Sequence, residues 1–251
     1  MRRDQISLQL YTVREETARD MPGTLRRISE IGYPAVELAG YGGLSATDLS
    51  NVIHDLGLRV SGAHVPLASW ERDPQTVLAD MHTLDCAHAV VPVAPPEHRS
   101  DEASVARFAE NLNRLGELSR GEGVNFSYHN HDFEFAPLGD RTMWDVLVRE
   151  TDPELVSLEL DLYWIKYGGT DPESVLRDVG DRVSLIHLKD MAPDDTLSDL
   201  PVGAGTMPWT GLLEVADAAG VEWYIAEQDN PRDAFEDVSI SLQHLGRMAN
   251  E

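Results

Sequence analysis

Short apolar or β-branched runs alternate with longer stretches of helical period along the chain. The runs predict eight strands, at residues 6–10, 35–38, 59–64, 88–93, 124–129, 156–161, 183–188 and 223–227. The stretches predict helices near 22–31, 45–56, 73–84, 102–122, 142–149, 172–179, 210–219 and 234–248. Local signals agree with these limits. Ser45, Asp73 and Asp171 stand where N-caps belong, and Pro74 and Pro172 follow in the first turn. Gly32, Gly57 and Gly220 are placed to end helices.

Eight alternating strand–helix units in 251 residues predict one closed (β/α)8 barrel in preference to an open doubly wound sheet. No GxGxxG follows the opening strand, which weakens the dinucleotide-binding alternative. No linker, charge block or low-complexity tract divides the chain, so a single domain over 1–251 is expected. The longest connection, 189–208, is rich in Asp, Pro and Gly and reads either as a lid or as a solvated excursion.

Composition narrows the partners. No apolar run of membrane-spanning length occurs, and the opening MRRDQISLQLYTV leads into a strand instead of a signal segment. The lone cysteine, Cys86, cannot form an internal disulfide, so a reducing cytoplasm is expected. Forty-four acidic residues against twenty basic ones give a formal charge of −24, and Lys166 and Lys189 are the only lysines. Such a surface repels nucleic-acid phosphates. Its acid-rich, lysine-poor character is similar to that of proteins from salt-accumulating halophiles, where counterions screen self-repulsion.

The densest chemistry is the stretch Tyr128-His129-Asn130-His131-Asp132-Phe133-Glu134. Residues two apart on a strand share a face, so Ser127, His129 and His131 point to the barrel axis while Val124, Phe126 and Tyr128 face the helices. Three further strands end on candidate metal ligands: Asp161, His187 and Glu227. Four strand ends converging on one divalent cation would make a catalytic centre. Gln9, Tyr11, Glu37, His64, Lys189 and Asp229 also fall at the C-terminal strand ends, where such barrels carry their chemistry. Glu37, His64 and Lys189 are candidate substrate contacts, and Lys189 suits a phosphate or carboxylate. Blander roles compete: a hydrogen-bonded strand histidine for His64, a salt-bridge partner for Glu37, and loop caps for Asp132 and Asp229. His54, His82, His98 and His244 read as surface residues. Trp209 reads either as the wall of a sugar pocket or as a helix anchor.

The segments LQLYTVR, IGYPAVELAGYGG, SGAHVPL, YHNHDFEF, LELDLYW, SLIHLKDM, VGAGTMPW and AEQD, in this order, resemble the sugar isomerase/epimerase barrels related to xylose isomerase. That superfamily also holds inosose dehydratases and a metal-dependent DNA-repair endonuclease. The resemblance implies a TIM barrel whose metal is held by Glu, Asp, His and Glu at the ends of strands five to eight, here His129, Asp161, His187 and Glu227. His129 departs from the pattern, since many members read ENH where this chain reads HNH. Mixed nitrogen and oxygen donors favour Mn²⁺, Zn²⁺, Co²⁺ or Fe²⁺ over Mg²⁺.

By the same resemblance the substrate is a ketose, keto-sugar or polyol, and the reaction passes through a metal-stabilised enediolate. Glu227 is the first choice of base, Glu134 the second, and His131 a proton relay. Proton return gives an isomerase or epimerase. Loss of a β-substituent gives a lyase on keto-sugars, inososes or keto-glycosides, and the His129 departure shifts weight towards it. The charge opposes DNA repair. A non-catalytic sugar-binding barrel is the alternative of a different class, and homo-oligomers are common among similar barrels.

The charge makes one prediction on its own. The protein should melt at a lower temperature in dilute buffer than in molar salt, because added ions screen its self-repulsion. A melting temperature indifferent to salt would overturn the halophile-like reading.

Overall fold

In the computed structural model, which describes residues 1–249, the eight expected strands close into one parallel barrel. They are β1 (Ile6–Gln9), β2 (Ala35–Leu38), β3 (Arg59–His64), β4 (His88–Val91), β5 (Asn125–His129), β6 (Ser157–Asp161), β7 (Val183–Leu188) and β8 (Trp223–Ala226). Each strand pairs with its neighbours in chain order, and β8 closes onto β1. The expected domain span ends with Asn250 and Glu251, which lie outside the described residues.

Both faces of the strands are covered, as a parallel barrel requires. On β5, Phe126 packs edge-on against Trp70 and Tyr128 against Phe108 on the helical side. Ser127 and His129 face inward. The barrel interior has two layers. A small apolar cluster of Val90, Leu185 and Ile225 fills its base, where Ser7 and Ser61 hydrogen-bond at 2.7 Å. Above it the interior turns polar, with Gln9, Glu37, Glu159 and His187 fully buried.

The caps act as expected: Ser45, Asp73 and Asp171 each accept a backbone N–H from the first turn of their helix. The differences lie in short or broken elements. The first helix, α1, runs Arg14–Ile31 and not from residue 22, because two helical stretches meet at a break. Asp20 is non-helical there, and its carboxylate accepts from Gly23 N ahead of the turn containing Pro22. Two six-residue helices, Leu67–Arg72 and Leu162–Tyr167, were not expected and sit in the loops after β3 and β6.

The connection after β7 is tied back, not loose. Asp190 accepts from Gly203 N, Met207 N and Trp209 Nε1, so Trp209 anchors a helix. Asp199 accepts from Asp229 N and Asn230 N of the β8 loop.

One glycine makes a close approach possible. In the helix Glu102–Gly121, a Cβ on Gly116 would overlap the Leu155 carbonyl oxygen ahead of β6. Gly116→Ala should therefore cost about 1–3 kcal/mol in denaturant unfolding through overpacking. Unchanged stability would show that this contact yields freely.

Candidate active site

The C-terminal ends of β2, β3, β5, β6, β7 and β8 gather a continuous polar cluster around His187. Its lower tier is buried except for His64, which reaches the cavity. Glu37 Oε2 accepts from Gln9 Nε2 at 2.8 Å and lies 2.6 Å from His187 Nε2. Glu159 Oε2 lies 2.7 Å from His64 Nε2, 2.9 Å from His129 Nδ1 and 3.3 Å from His187 Nε2. Gly62, opposite Glu37 in register, leaves room for that carboxylate: a Cβ there would come within 2.5 Å of Glu37 Oε1.

The upper tier opens on solvent. His187 Nδ1 lies 2.7 Å from Glu227 Oε2. Lys189 Nζ sits 2.9 Å from Asp161 Oδ2, 2.8 Å from Glu227 Oε2 and 2.8 Å from Asp229 Oδ2. His187 and Lys189 are two apart on the chain, so both side chains reach the same space. Asp161 divides its oxygens: Oδ1 accepts from Trp164 N and caps the helix Leu162–Tyr167, while Oδ2 turns inward. Asn130 clamps β5 to β6, accepting from Asp161 N at 3.0 Å and donating to Asp161 O at 3.3 Å. A cavity of about 430 Å³ lies above this floor, lined by Tyr11, His64, His129, His131, Lys189, Glu227 and Asp229 with Pro66, Pro92 and Val93 as an apolar wall.

The charges are set by competition between burial and neighbours. Burial opposes charge on His187, but Glu159, Glu227 and Glu37 outweigh it and raise its pKa well above the usual range. Burial likewise opposes ionisation of Glu159 and Glu227. The histidines around Glu159, and Lys189 with His187 around Glu227, hold both well below the ordinary carboxylate range. Lys189 is raised because Asp161, Glu227 and Asp229 outweigh its burial. Glu37 goes the other way: burial, reinforced by the charge on Glu159, pushes it up to about 7. His131 is pushed down to about 2 by burial, His129 and Lys189, so it is a neutral imidazole at ordinary pH.

Of the candidates named from sequence, the structure gathers His129, His131, Asp161, His187, Glu227, His64 and Lys189 around one space. Glu37 lies beneath His187 and off the cavity wall. Glu134 is buried behind the site, where Oε1 accepts from Tyr128 Oη at 2.5 Å and Oε2 from His131 N at 2.8 Å. Asp229, expected to cap a loop, instead accepts from Lys189 on the cavity wall. Sequence reasoning missed Glu159 and Asn130. Glu159 shares a strand face with Asp161, the same two-residue spacing that singled out His129 and His131, so its signal was present.

The donor set fits a divalent cation. Asp161, His187 and Glu227 each offer an atom, all within 4.8 Å of one another, and buried Asp161 Oδ2 is faced by the Lys189 ammonium at 2.9 Å with no further hydrogen bond among the described residues. His129 Nε2 lies 3.9 Å from that oxygen. His64, His129, Glu159 and His187 form a second group of the same compactness. Both groups reach the cavity, the first through Glu227 and the second through His64 and His129. With a cation on Nδ1 of His187, Nε2–H would point at Glu37 and Glu159, the arrangement that fixes a metal-binding imidazole.

A family model of the xylose isomerase-like TIM barrel matches residues 25–248. The inosose dehydratase of Geobacillus thermodenitrificans is 33% identical over 141 residues, which cover 48% of this chain and 46% of that one. The chain thus spans about half the length of the curated relatives it matches. A solved sugar phosphate isomerase/epimerase from Parabacteroides distasonis superposes with a TM-score of 0.83 at 25% identity, covering 96% of this chain and 97% of the other. A second from the same organism, at 24% identity, gives 0.84 over 96% and 92% and shows the shared fold.

Glu134 supplies a test of the electrostatics. Burial raises it from the ordinary 4.5 to about 7, against the hydrogen bonds from Tyr128 and His131. Between those values the folded chain keeps a proton that the unfolded chain has lost, so stability falls as pH rises. A glutamine can still accept from His131 N and can donate to Tyr128 Oη. In urea unfolding from about pH 5 to about pH 8, wild type should therefore lose up to about 3 kcal/mol more than Glu134→Gln. Equal slopes would mean that Glu134 stays ionised in the fold.

Proposed function

The chain belongs to the xylose isomerase-like TIM barrel family, and from that premise we propose that it is a divalent-metal-dependent enzyme that removes the proton beside the carbonyl of a keto-sugar or keto-cyclitol and then expels water. One observation carries this reading. Three candidate ligands, Asp161, His187 and Glu227, cluster within 4.8 Å of one another beside a cavity whose wall Glu227 shares with Lys189 and His131.

A divalent ion held by Asp161, His187 and Glu227, with His129 beside them, would supply Lewis-acid stabilisation of the negative charge that develops on the substrate oxygens. The protein's own groups do the rest. Glu227 is held ionised by Lys189 and His187 and stands ready to take the proton. Lys189 is held as an ammonium and carries a proton for the departing hydroxyl group, which leaves as water. Glu37 and Glu159 keep His187 oriented from below, and Asn130 fixes the position of Asp161. The prolines and Val93 exclude water from one side of the cavity.

Elimination is favoured because the β5 side of the cavity presents His129 and His131 in place of a carboxylate, while Glu134 is turned into the wall. The likeness to inosose dehydratases over half the chain supports the same choice. Isomerisation or epimerisation is the second reading. It is favoured by His131, an imidazole on the same cavity wall as Glu227, and by the likeness to the Parabacteroides distasonis isomerase/epimerase.

The test pairs metal analysis with isotope exchange. After identical dialysis, wild type should retain a transition metal that Asp161→Ala loses. Loaded wild type in deuterium oxide should convert an inosose with loss of water, and chelation should stop it. Glu227→Gln should slow turnover by about 10²–10⁴-fold. Deuterium uptake without water loss would select the second reading. No exchange into any inosose or keto-sugar by the metal-loaded protein would leave a binding barrel and overturn the proposal.

A further inference from the structure

Lys189 lies against two of the three candidate metal ligands. Its ammonium is within 2.9 Å of Asp161 Oδ2 and 2.8 Å of Glu227 Oε2, oxygens of two candidate ligands, and its side chain is 1% exposed. Only the third contact, to Asp229 Oδ2 at 2.8 Å, has the geometry of a hydrogen bond. Asp161 Oδ2 therefore meets the ammonium as an ion pair, and no other hydrogen bond among the described residues holds that oxygen.

We propose that Lys189 is a built-in cation that holds Asp161 and Glu227 in ligand geometry until a divalent ion displaces its ammonium, and that Asp229 receives the displaced group. The proposal rests on the metal-site reading above and adds a role for a residue outside the ligand set. Buried carboxylates left without a cation are costly, so a metal-free site at this position needs an internal substitute. A lysine suits the task, because its four-carbon stem is flexible and its compact charge can shift without rebuilding the strand. The Trp164 ring, 5.3 Å from Nζ, offers a further favourable surface to the ammonium. Asp229 stands at the rim, more exposed than Asp161 or Glu227, and its backbone is fixed by Asp199, so the receiving carboxylate is in place beforehand.

The experiment is calorimetric titration of Mn²⁺ into metal-free wild type, Lys189→Met and Asp229→Asn, with Asp161→Ala as the blank, and melting temperatures taken with and without Mn²⁺. Removing a unit positive charge from the cation position should tighten Mn²⁺ binding at least about tenfold in Lys189→Met. That variant should also melt lower than wild type without metal and recover with it. Asp229→Asn should weaken Mn²⁺ binding, because the ammonium loses its alternative anionic partner. Binding to Lys189→Met but not to wild type would support the proposal in its strongest form. Equal or weaker binding by folded Lys189→Met would overturn it while leaving the metal site intact. Should Lys189→Met not fold, unchanged or tighter binding by Asp229→Asn would overturn it instead. No Mn²⁺ heat with any of the proteins would overturn the metal reading, and this proposal with it.

Discussion

The imidazole of His187 lies between Glu227 on one nitrogen and Glu37 with Glu159 on the other, and the barrel mouth is built around that bridge. Carboxylates do not remain ionised in a protein interior without compensation. Here the compensation is shared: His187 serves three of them, His64 and His129 serve Glu159, and Lys189 serves the upper set. Glu37 is the least compensated, since burial and the charge on Glu159 outweigh His64 and His187, and its carboxyl moves towards the protonated form. The sequence obeys this constraint in small ways. Gly62 exists as a gap for Glu37, and Gln9 spends its amide on the same carboxylate.

The scaffold keeps the bridge rigid from outside. Asp161 is both a candidate ligand and the N-cap of a six-residue helix, so its rotamer is fixed by backbone geometry before any ligand arrives. Asn130 ties the adjacent strand ends together with a two-way amide contact. Asp190 and Asp199 are likewise spent on backbone N–H groups, and they bind the long β7 connection to the β8 loop that carries Asp229. Apart from the candidate groups themselves, the polar residues nearest the site thus act as fasteners.

The sequence made the strands legible because their period and spacing repeat, and the cluster legible because strand residues two apart share a face. It concealed what depends on depth. Glu37 and His64 both read as strand-end residues, yet one lies under the imidazole and the other on the cavity wall. Glu159 lies one strand-face position deeper than Asp161, in a barrel interior that turns polar halfway up. Asp229 looked like a loop cap because nothing local shows that Lys189 reaches it across the chain. The helices Leu67–Arg72 and Leu162–Tyr167 are too short for a periodic signal. The start of α1 was hidden by a capping-type contact at Asp20 inside the helix.

The apolar base of the barrel gives the site its direction. Val90, Leu185 and Ile225 close the axis below the carboxylates, and the Ser7–Ser61 pair satisfies its own hydrogen bonds there. Glu37 and Glu159 are fully buried above this base. The cavity that His64, His129, His131 and Glu227 line opens on the other side of the cluster. The closed floor therefore makes the negative charge act upward, towards the space where a cation and an electron-poor carbonyl would lie. In such a water-poor setting, fixed charges act more strongly on a developing charge than they could in solution. The same low dielectric that makes the carboxylate cluster expensive to bury is what makes it effective at the cavity floor.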